Sequence, residues 1–327
     1  MKILIVGYGS IGKRHLKNLI KNTSFQFVVF SQQKNDQFLK KNKINVYNSI
    51  EECLEEKPEI AFITNITSLH IPLAIKLAKH GLDLFIEKPL SDSMNGVNEL
   101  KKIIKKKKLI TQMGCNLRFH PCITKIRQLV LQNKIGKVIS IQSELGTYLP
   151  DWHPKEDYSQ GYASKKSLGG GVILTMIHDI DYLYWIFGNP HSLFSISGKF
   201  SDLKISSEDY CSGIICFKKN IFAELHLDFF QRPEFRSCKI KGKNGTIYWN
   251  SDTNQVKIFI NKKRKWENVL TMKNFERNDM YVSEILHFLK CVKDRKKTIN
   301  TIDEGIETMK IALAMKKSSK SRRMVNI

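Results

Sequence analysis

Six residues near the start of the chain constrain its fold more than any others. Gly7-Tyr8-Gly9-Ser10-Ile11-Gly12 reads G-x-G-x-x-G. It lies between a buried-strand pattern over residues 2–6 and a helical pattern over residues 11–20. Strand, glycine turn and helix in that order open a βαβ unit. The first glycine permits a tight turn, the second lets backbone approach a pyrophosphate, and the third lets helix and strand pack closely. The helix N-terminus adds N–H donors and the positive end of a dipole. All six residues are therefore candidates for binding a dinucleotide.

The alternation continues. Residues 25–30, 60–64, 82–86 and 109–113 are short apolar runs, and residues 50–56, 69–80 and 93–106 are helical, the first with Ser49 as cap. Strands alternating with helices indicate a parallel sheet covered on both faces. After Asn116 the texture changes. A helix is expected over 121–131, a strand over 137–147, a polar and aromatic-rich connection over 149–168, and one long apolar helix over 171–187. Strands then follow without helices between them, at 193–200, 210–217, 222–229, 235–241, 246–250 and 255–260. The short links 218–220 and 243–245 suggest hairpins and a mostly antiparallel sheet. Helices over 280–292 and 302–316 close the chain. The expectation is an α/β protein of two domains. Residues 1–118 form a Rossmann NAD(P)-binding domain. Residues 119–327 form an α+β substrate and oligomerisation domain with a large, mostly antiparallel open sheet.

Composition narrows the partners. A chain of 327 residues buries a core without disulfide or metal staples. Its seven cysteines form no C-x-x-C pair and no zinc-like spacing, so buried reduced thiols and no metal are expected. The net charge of +23 raises the question of nucleic acid or anionic membrane. The excess is lysine spread along the chain, clustered at 101–102, 105–108, 262–265 and 316–323, and reads as solvated faces. Anionic small molecules suit that charge better than nucleic acid, whose rival case rests on charge alone. No apolar run approaches the ~18 residues of a membrane span. The run at 3–6 is too short for a signal-peptide core. A soluble, cytoplasmic protein is expected.

An acidic residue at the end of the second strand would favour NAD. Here Ser31-Gln32-Gln33-Lys34 follows Phe30. Ser31 can bond a 2′-phosphate and Lys34 can neutralise it, which favours NADP over NAD. Asp36 comes later, in an expected loop.

The segment Ile63-Thr64-Asn65-Ile66-Thr67-Ser68-Leu69-His70, then Phe85-Ile86-Glu87-Lys88-Pro89-Leu90-Ser91, then Gly169-Gly170-Gly171 leading into His178-Asp179-Ile180-Asp181, carries a resemblance. With the glycine turn, this order resembles the Gfo/Idh/MocA oxidoreductases (glucose–fructose oxidoreductase, inositol dehydrogenase and relatives) over nearly the whole chain. The resemblance implies nicotinamide in a cleft between the domains. It places Asn65, Thr67, His70, Glu87 and Asn116 near the cofactor and Lys88 near the reacting carbon. The Lys88–Pro89 bond is often cis in relatives, and His178 matches the family histidine paired with the lysine. Oxidising a carbinol sends hydride to the nicotinamide and a proton to a base within hydrogen-bond reach. Lys88 and His178 are jointly the candidate catalytic pair. Many relatives carry an aspartate one helical turn before the histidine. Leu174 and Thr175 stand there, and Thr175 can hydrogen-bond a substrate but cannot act as a carboxylate base.

The connection holds Tyr148-Leu149-Pro150-Asp151-Trp152-His153-Pro154. Its Tyr–x–x–Asp–Trp pattern resembles family members encoded among surface-polysaccharide genes. Trp152 and Tyr162 offer aromatic planes for a sugar ring, and Lys165 and Arg118 offer cations for a carboxylate, phosphate or nucleotide. Asp181 is a possible support for His178, while His120 and His153 have no nameable partner. The expected activity is hydride transfer between nicotinamide and a carbinol or ketone of a sugar, sugar acid or nucleotide sugar, by a homodimer or homotetramer. An NAD-dependent glycosidase without net redox change, or an inactive sugar- or dinucleotide-sensing regulator, are the alternatives.

Overall fold

The computed structural model describes residues 1–33 and 36–327. The chain opens with β1 (Lys2–Val6), α1 (Ser10–Asn22), β2 (Gln26–Phe30), α2 (Gln37–Lys41), β3 (Asn45–Tyr47) and α3 (Ile50–Glu55). It continues through β4 (Ile60–Ile63), α4 (His70–Lys79), β5 (Asp83–Glu87), α5 (Val97–Lys107) and β6 (Thr111–Gly114). Next come α6 (Pro121–Leu131), β7 (Val138–Tyr148), α7 (Val172–Thr175), α8 (His178–Phe187), β8 (Pro190–Gly198) and β9 (Tyr210–Phe217). Then follow β10 (Ile221–Asp228), β11 (Phe230–Gly242), β12 (Gly245–Asn250), β13 (Gln255–Ile260) and β14 (Lys265–Thr271). The last elements are α9 (Arg277–Asp294), α10 (Ile302–Ser321) and β15 (Val325–Asn326).

The first sheet is parallel throughout, in the order β3-β2-β1-β4-β5-β6. Its central strands are buried at almost every position, as a sheet covered on both faces requires. The order reverses between β1 and β4, so the turns leaving these strands meet at a topological switch point, where ligands bind in such sheets.

The compact units divide differently from the expected 1–118 and 119–327. One unit comprises Met1–Cys115 with Arg277–Ile306, and the other Asn116–Glu276 with Glu307–Ile327. The reason is the apolar stripe of α9. Ile285, Phe288, Leu289 and Val292, at helical spacing, join the core of Ile3, Ile5, Phe62 and Phe85. Each such side chain contributes roughly 1.5–3 kcal/mol on full burial.

The second unit carries a nine-stranded sheet in the order β14-β13-β12-β11-β7-β10-β9-β8-β15. Every neighbouring pair is antiparallel except β7 with β10. The expected hairpins join β9 to β10 and β11 to β12. β14 was not expected, because its exposed positions and Lys-rich start hide the period of two. The expected helix 171–187 is two helices, α7 and α8, with a turn at Met176–Ile177. The break puts His178, Asp179 and Asp181 in the first turn of α8, where acidic side chains suit the dipole. The connection 149–168 is a series of one-turn 3-10 helices.

All seven cysteines are buried free thiols. Among the described residues, no helix is long and apolar enough to cross a membrane, and no cluster of His, Cys, Asp and Glu could hold a metal ion.

Candidate functional site

The glycine turn is built by close backbone packing. Gly7 has φ +96° and lies against Asn65, where a Cβ would sit 2.7 Å from the Asn65 Cα. A Cβ on Gly12 would lie 2.1 Å from the Gly7 carbonyl oxygen and 2.8 Å from Thr64 Oγ1. Thr64 fixes this arrangement by donating its hydroxyl to Gly7 O at 2.7 Å. Around Gly9 the space is open, and the start of α1 has no side-chain cap. Its first N–H groups are thus left for a ligand. Ser10 is exposed, Ile11 half-buried and Tyr8 buried.

Asn65, at the exit of β4, has both polar atoms of its side-chain amide buried without a hydrogen bond. Such an amide is costly unless something binds it. An open glycine turn, an uncapped helix and an orphaned amide at the strand ends fit a dinucleotide. Thr67 is buried in the one-turn helix that follows.

His70 opens α4. Its ring is buried, with Nδ1 2.8 Å from Pro89 O and Nε2 3.0 Å from Asn65 O. Each nitrogen faces a backbone carbonyl, so the ring joins the β4 and β5 turns. Burial pushes its pKa down, with the two carbonyls opposing. Glu87 ends β5, and its Oε2 accepts the Lys88 N–H at 3.1 Å. The Lys88–Pro89 peptide is cis, and Lys88 is half-buried.

At the end of β2, Ser31 is buried and its hydroxyl accepts the Gln33 N–H at 3.0 Å, which makes it a turn residue. Lys34, the other expected phosphate contact, lies outside the described residues. Asp36 is not in a loop interior but caps α2. It accepts the Tyr8 hydroxyl at 3.3 Å and pairs with Lys13 at 3.1 Å. Partial burial opposes its ionisation, but Lys13 and the Phe38 and Leu39 N–H groups hold its pKa below the usual carboxylate value. The same carboxylate, after burial, pushes the Tyr8 phenol up to about 12.

In the second unit, Arg118 does not match its expected part. It is buried and donates Nε and Nη2 to the two oxygens of Asp181, each at 2.8 Å. Thr308 also donates to Asp181, at 3.2 Å. A substrate carboxylate taking the same Nε–Nη2 fork would have to displace Asp181, and breaking such a buried pair costs about 3–5 kcal/mol. Asp181 is thereby assigned to Arg118. Asp179 is fully buried 3.2 Å from Arg236 Nη2, and burial pushes its pKa up against that cation. His178 is half-buried, whereas Thr175 and Asn116 are buried. Trp152 is half-buried, donates Nε1–H to Thr147 and meets Phe229 edge-on. Tyr162 and Lys165 are half-buried, and Lys165 donates to Gln160 at 2.6 Å. His120 caps α6 by accepting the Cys122 N–H, and burial lowers its pKa to about 4. His153 is exposed.

Sequence reasoning missed His15, which is fully buried in α1 with Nε2 2.6 Å from Glu87 Oε1. The available signal was a histidine on the buried stripe that also holds Gly12, Leu16, Asn18 and Leu19.

Comparison with known proteins gives one consistent result. A profile described as "Oxidoreductase family, NAD-binding Rossmann fold" matches residues 1–115, and another, "Oxidoreductase family, C-terminal alpha/beta domain", matches residues 127–327. The chain is similar to the myo-inositol 2-dehydrogenase of Thermotoga maritima, 24% identical over 339 residues, covering 100% of this chain and 98% of that protein. It is also similar to the scyllo-inositol 2-dehydrogenase (NAD(+)) of Bacillus subtilis, at 21% over 338 residues, covering 100% and 96%. Among solved structures, levoglucosan dehydrogenase in complex with NADH superposes with a TM-score of 0.90 at 14% identity, covering 100% of this chain and 99% of that one. Myo-inositol 2-dehydrogenase from Lactobacillus plantarum does so with 0.84 at 22%, with the same coverage. At these identities the structural likeness shows the fold.

Proposed function

This chain belongs to the Gfo/Idh/MocA oxidoreductase family, with an NAD-binding Rossmann domain, and on that premise we propose that it transfers hydride between nicotinamide and a carbinol or ketone of a sugar, polyol, sugar acid or nucleotide sugar. The observation that carries this reading is the orphaned Asn65 amide beside the open glycine turn, at the same strand ends as Lys88. The named substrates of the relatives, inositols and levoglucosan, support a polyhydroxylated substrate.

When bound, the nicotinamide supplies the hydride chemistry. The chain supplies the rest. Gly7 to Gly12 and the first N–H groups of α1 receive the phosphates, and Asn65 supplies amide donors and an acceptor. Lys88 and His178 hold and move the proton of the substrate oxygen. Trp152, Tyr162, Lys165 and Thr175 are the proposed substrate contacts.

For the cofactor we favour NAD(H), against the NADP expected from Ser31 and Lys34. The Ser31 hydroxyl is engaged in its own turn, and the ionised Asp36 carboxylate stands beside Tyr8 of the glycine turn. A 2′-phosphate there would meet a like charge, and Lys13 is already paired with Asp36. Titration with NADH and NADPH, followed by nicotinamide fluorescence, tests both levels. NADH is expected to bind about tenfold tighter, equivalent to ~1.4 kcal/mol, with Asp36→Asn narrowing the gap. Tighter NADPH binding would reverse the cofactor choice alone. Binding of neither, by protein shown free of retained nucleotide, would end the oxidoreductase reading.

We further propose pairing into homodimers or homotetramers through the open sheet. Ile196 of β8 and Ile214 of β9 are 54% and 48% exposed there, and with Phe200, just beyond β8 and 64% exposed, they help line an open groove. Contiguous apolar surface of this kind marks an interface. Light scattering should show an oligomer that Ile214→Glu converts to monomer. A monomeric parent protein at micromolar concentration would discard the pairing.

A further inference from the structure

The Glu87 carboxylate is enclosed on three sides within the first unit. His15 Nε2 lies 2.6 Å from Oε1, and the Lys88 N–H lies 3.1 Å from Oε2. On the third side is Gly114 of β6, where a Cβ would come within 2.9 Å of the carboxyl carbon. Glu87 is 5% exposed and His15 is 0% exposed. A carboxylate so placed cannot turn to solvent.

The imidazole is held as firmly. Its ring packs edge-on against Phe85 and Tyr281, with centroids 5.0 and 5.9 Å away. Its Nδ1 is buried without a hydrogen bond. Hydrogen-bond satisfaction therefore places the proton on Nε2, since an orphaned acceptor costs less than an orphaned N–H. The Nε2–H donates to Glu87, and Glu87 accepts the Lys88 N–H. On the far side of the cis peptide, His70 Nδ1 meets the Pro89 carbonyl at 2.8 Å. The Lys88–Pro89 segment is thus flanked by the His15-bound Glu87 carboxylate at the Lys88 N–H and by His70 at the Pro89 carbonyl.

We propose that His15 is a positioning residue for Lys88. It acts through Glu87, and it ties the helix whose N-terminus faces the cofactor phosphates to the residue that handles the substrate proton. This inference rests on the assignment of Lys88 above. The core alone would be better served by an apolar side chain at position 15, because a buried polar pair gains little net stability over well-packed carbon. The geometry, a donor aimed at the carboxylate that accepts the Lys88 N–H, supplies the reason for a histidine.

The test compares two isopolar variants. His15→Gln places an amide N–H near the position of Nε2, and His15→Asn is one methylene shorter and falls short of Glu87. Amide hydrogen exchange is followed by mass spectrometry on overlapping peptides that isolate Lys88, in nucleotide-free protein. His15→Asn is expected to speed Lys88 exchange at least tenfold, with the α5 amides unchanged, and His15→Gln to stay within threefold of the parent. Unchanged Lys88 exchange in His15→Asn would overturn the proposal. So would equal acceleration throughout the first unit, including an unfolded variant, because His15 would then serve packing alone. A parallel NADH titration separates the two levels. Loss of nucleotide binding by the parent protein would overturn the oxidoreductase reading, whereas the exchange result concerns His15 and Lys88 without any ligand. Once a turnover substrate is known, His15→Asn should lower kcat at least tenfold with KM within threefold. A change confined to KM would reject the positioning role.

Discussion

Gly12→Ala is expected to lose nicotinamide nucleotide binding by at least about 100-fold, or ~2.7 kcal/mol. The added methyl would sit 2.1 Å from the Gly7 carbonyl oxygen, and that oxygen is held by the Thr64 hydroxyl. Neither neighbour is the loose end of a flexible side chain. Either α1 moves off β1 or the Gly7 turn opens, and both displace the N–H groups proposed to receive the phosphates. Overpacking of this kind also costs about 1–3 kcal/mol of stability. Gly9→Ala is the informative partner, because no atom lies within 4 Å of its added Cβ. It should melt with the parent protein, within about 0.5 kcal/mol, as surface changes usually do. It should still weaken NADH binding, because the methyl fills the approach to the ligand. Fluorescence titration and thermal melting of both variants decide the matter. Parent-like NADH affinity in Gly12→Ala would mean that the nucleotide does not use this turn.

Lys88→Ala is expected to reduce turnover by about 10²–10⁴-fold, the usual range for a proton-transferring group acting in the transition state. Its effect on NADH affinity should be small, within about threefold (~0.65 kcal/mol). The Lys88 N–H is held by Glu87 and the Pro89 carbonyl faces His70, so removal of the side chain beyond Cβ leaves the turn standing. A screen of polyols, sugars, sugar acids and nucleotide sugars with the preferred nucleotide provides the assay. kcat should fall with kcat/KM, because the lost interaction belongs to the transition state. Residual turnover within tenfold of the parent would remove Lys88 from the proton path.

Much of the fold was legible because it is written locally. β1, β4 and β5 are short apolar runs, α6 begins at Pro121, and the glycine turn sits where strand becomes helix. Helix and strand periods span only a few residues, so one sequence displays them. What failed locally has local causes. β3 has three residues, β14 is largely exposed, and the apolar run 171–187 continues unbroken in composition through the turn at Met176. The side-chain assignments fared less evenly. Asn65 and Glu87 stand at the strand ends, where the Asn65 amide has no hydrogen bond and the Glu87 carboxylate meets His15 and the Lys88 N–H. Nothing near Arg118 in sequence shows that its charge is neutralised. Its partner, Asp181, lies 63 positions away.

By itself the sequence determined the class of sheet, the glycine turn and the strand ends at which the proposed nucleotide residues stand. Each depends on backbone geometry and burial pattern within a few consecutive residues. Only the tertiary structure decided which polar groups satisfy one another. His15 meets Glu87 across 72 positions, Ser31 closes its own turn while Asp36 reaches Tyr8, and α9 returns to complete the core of the first unit. A buried polar atom must find a partner wherever the fold brings one. That partner is chosen by long-range packing, which no local period encodes.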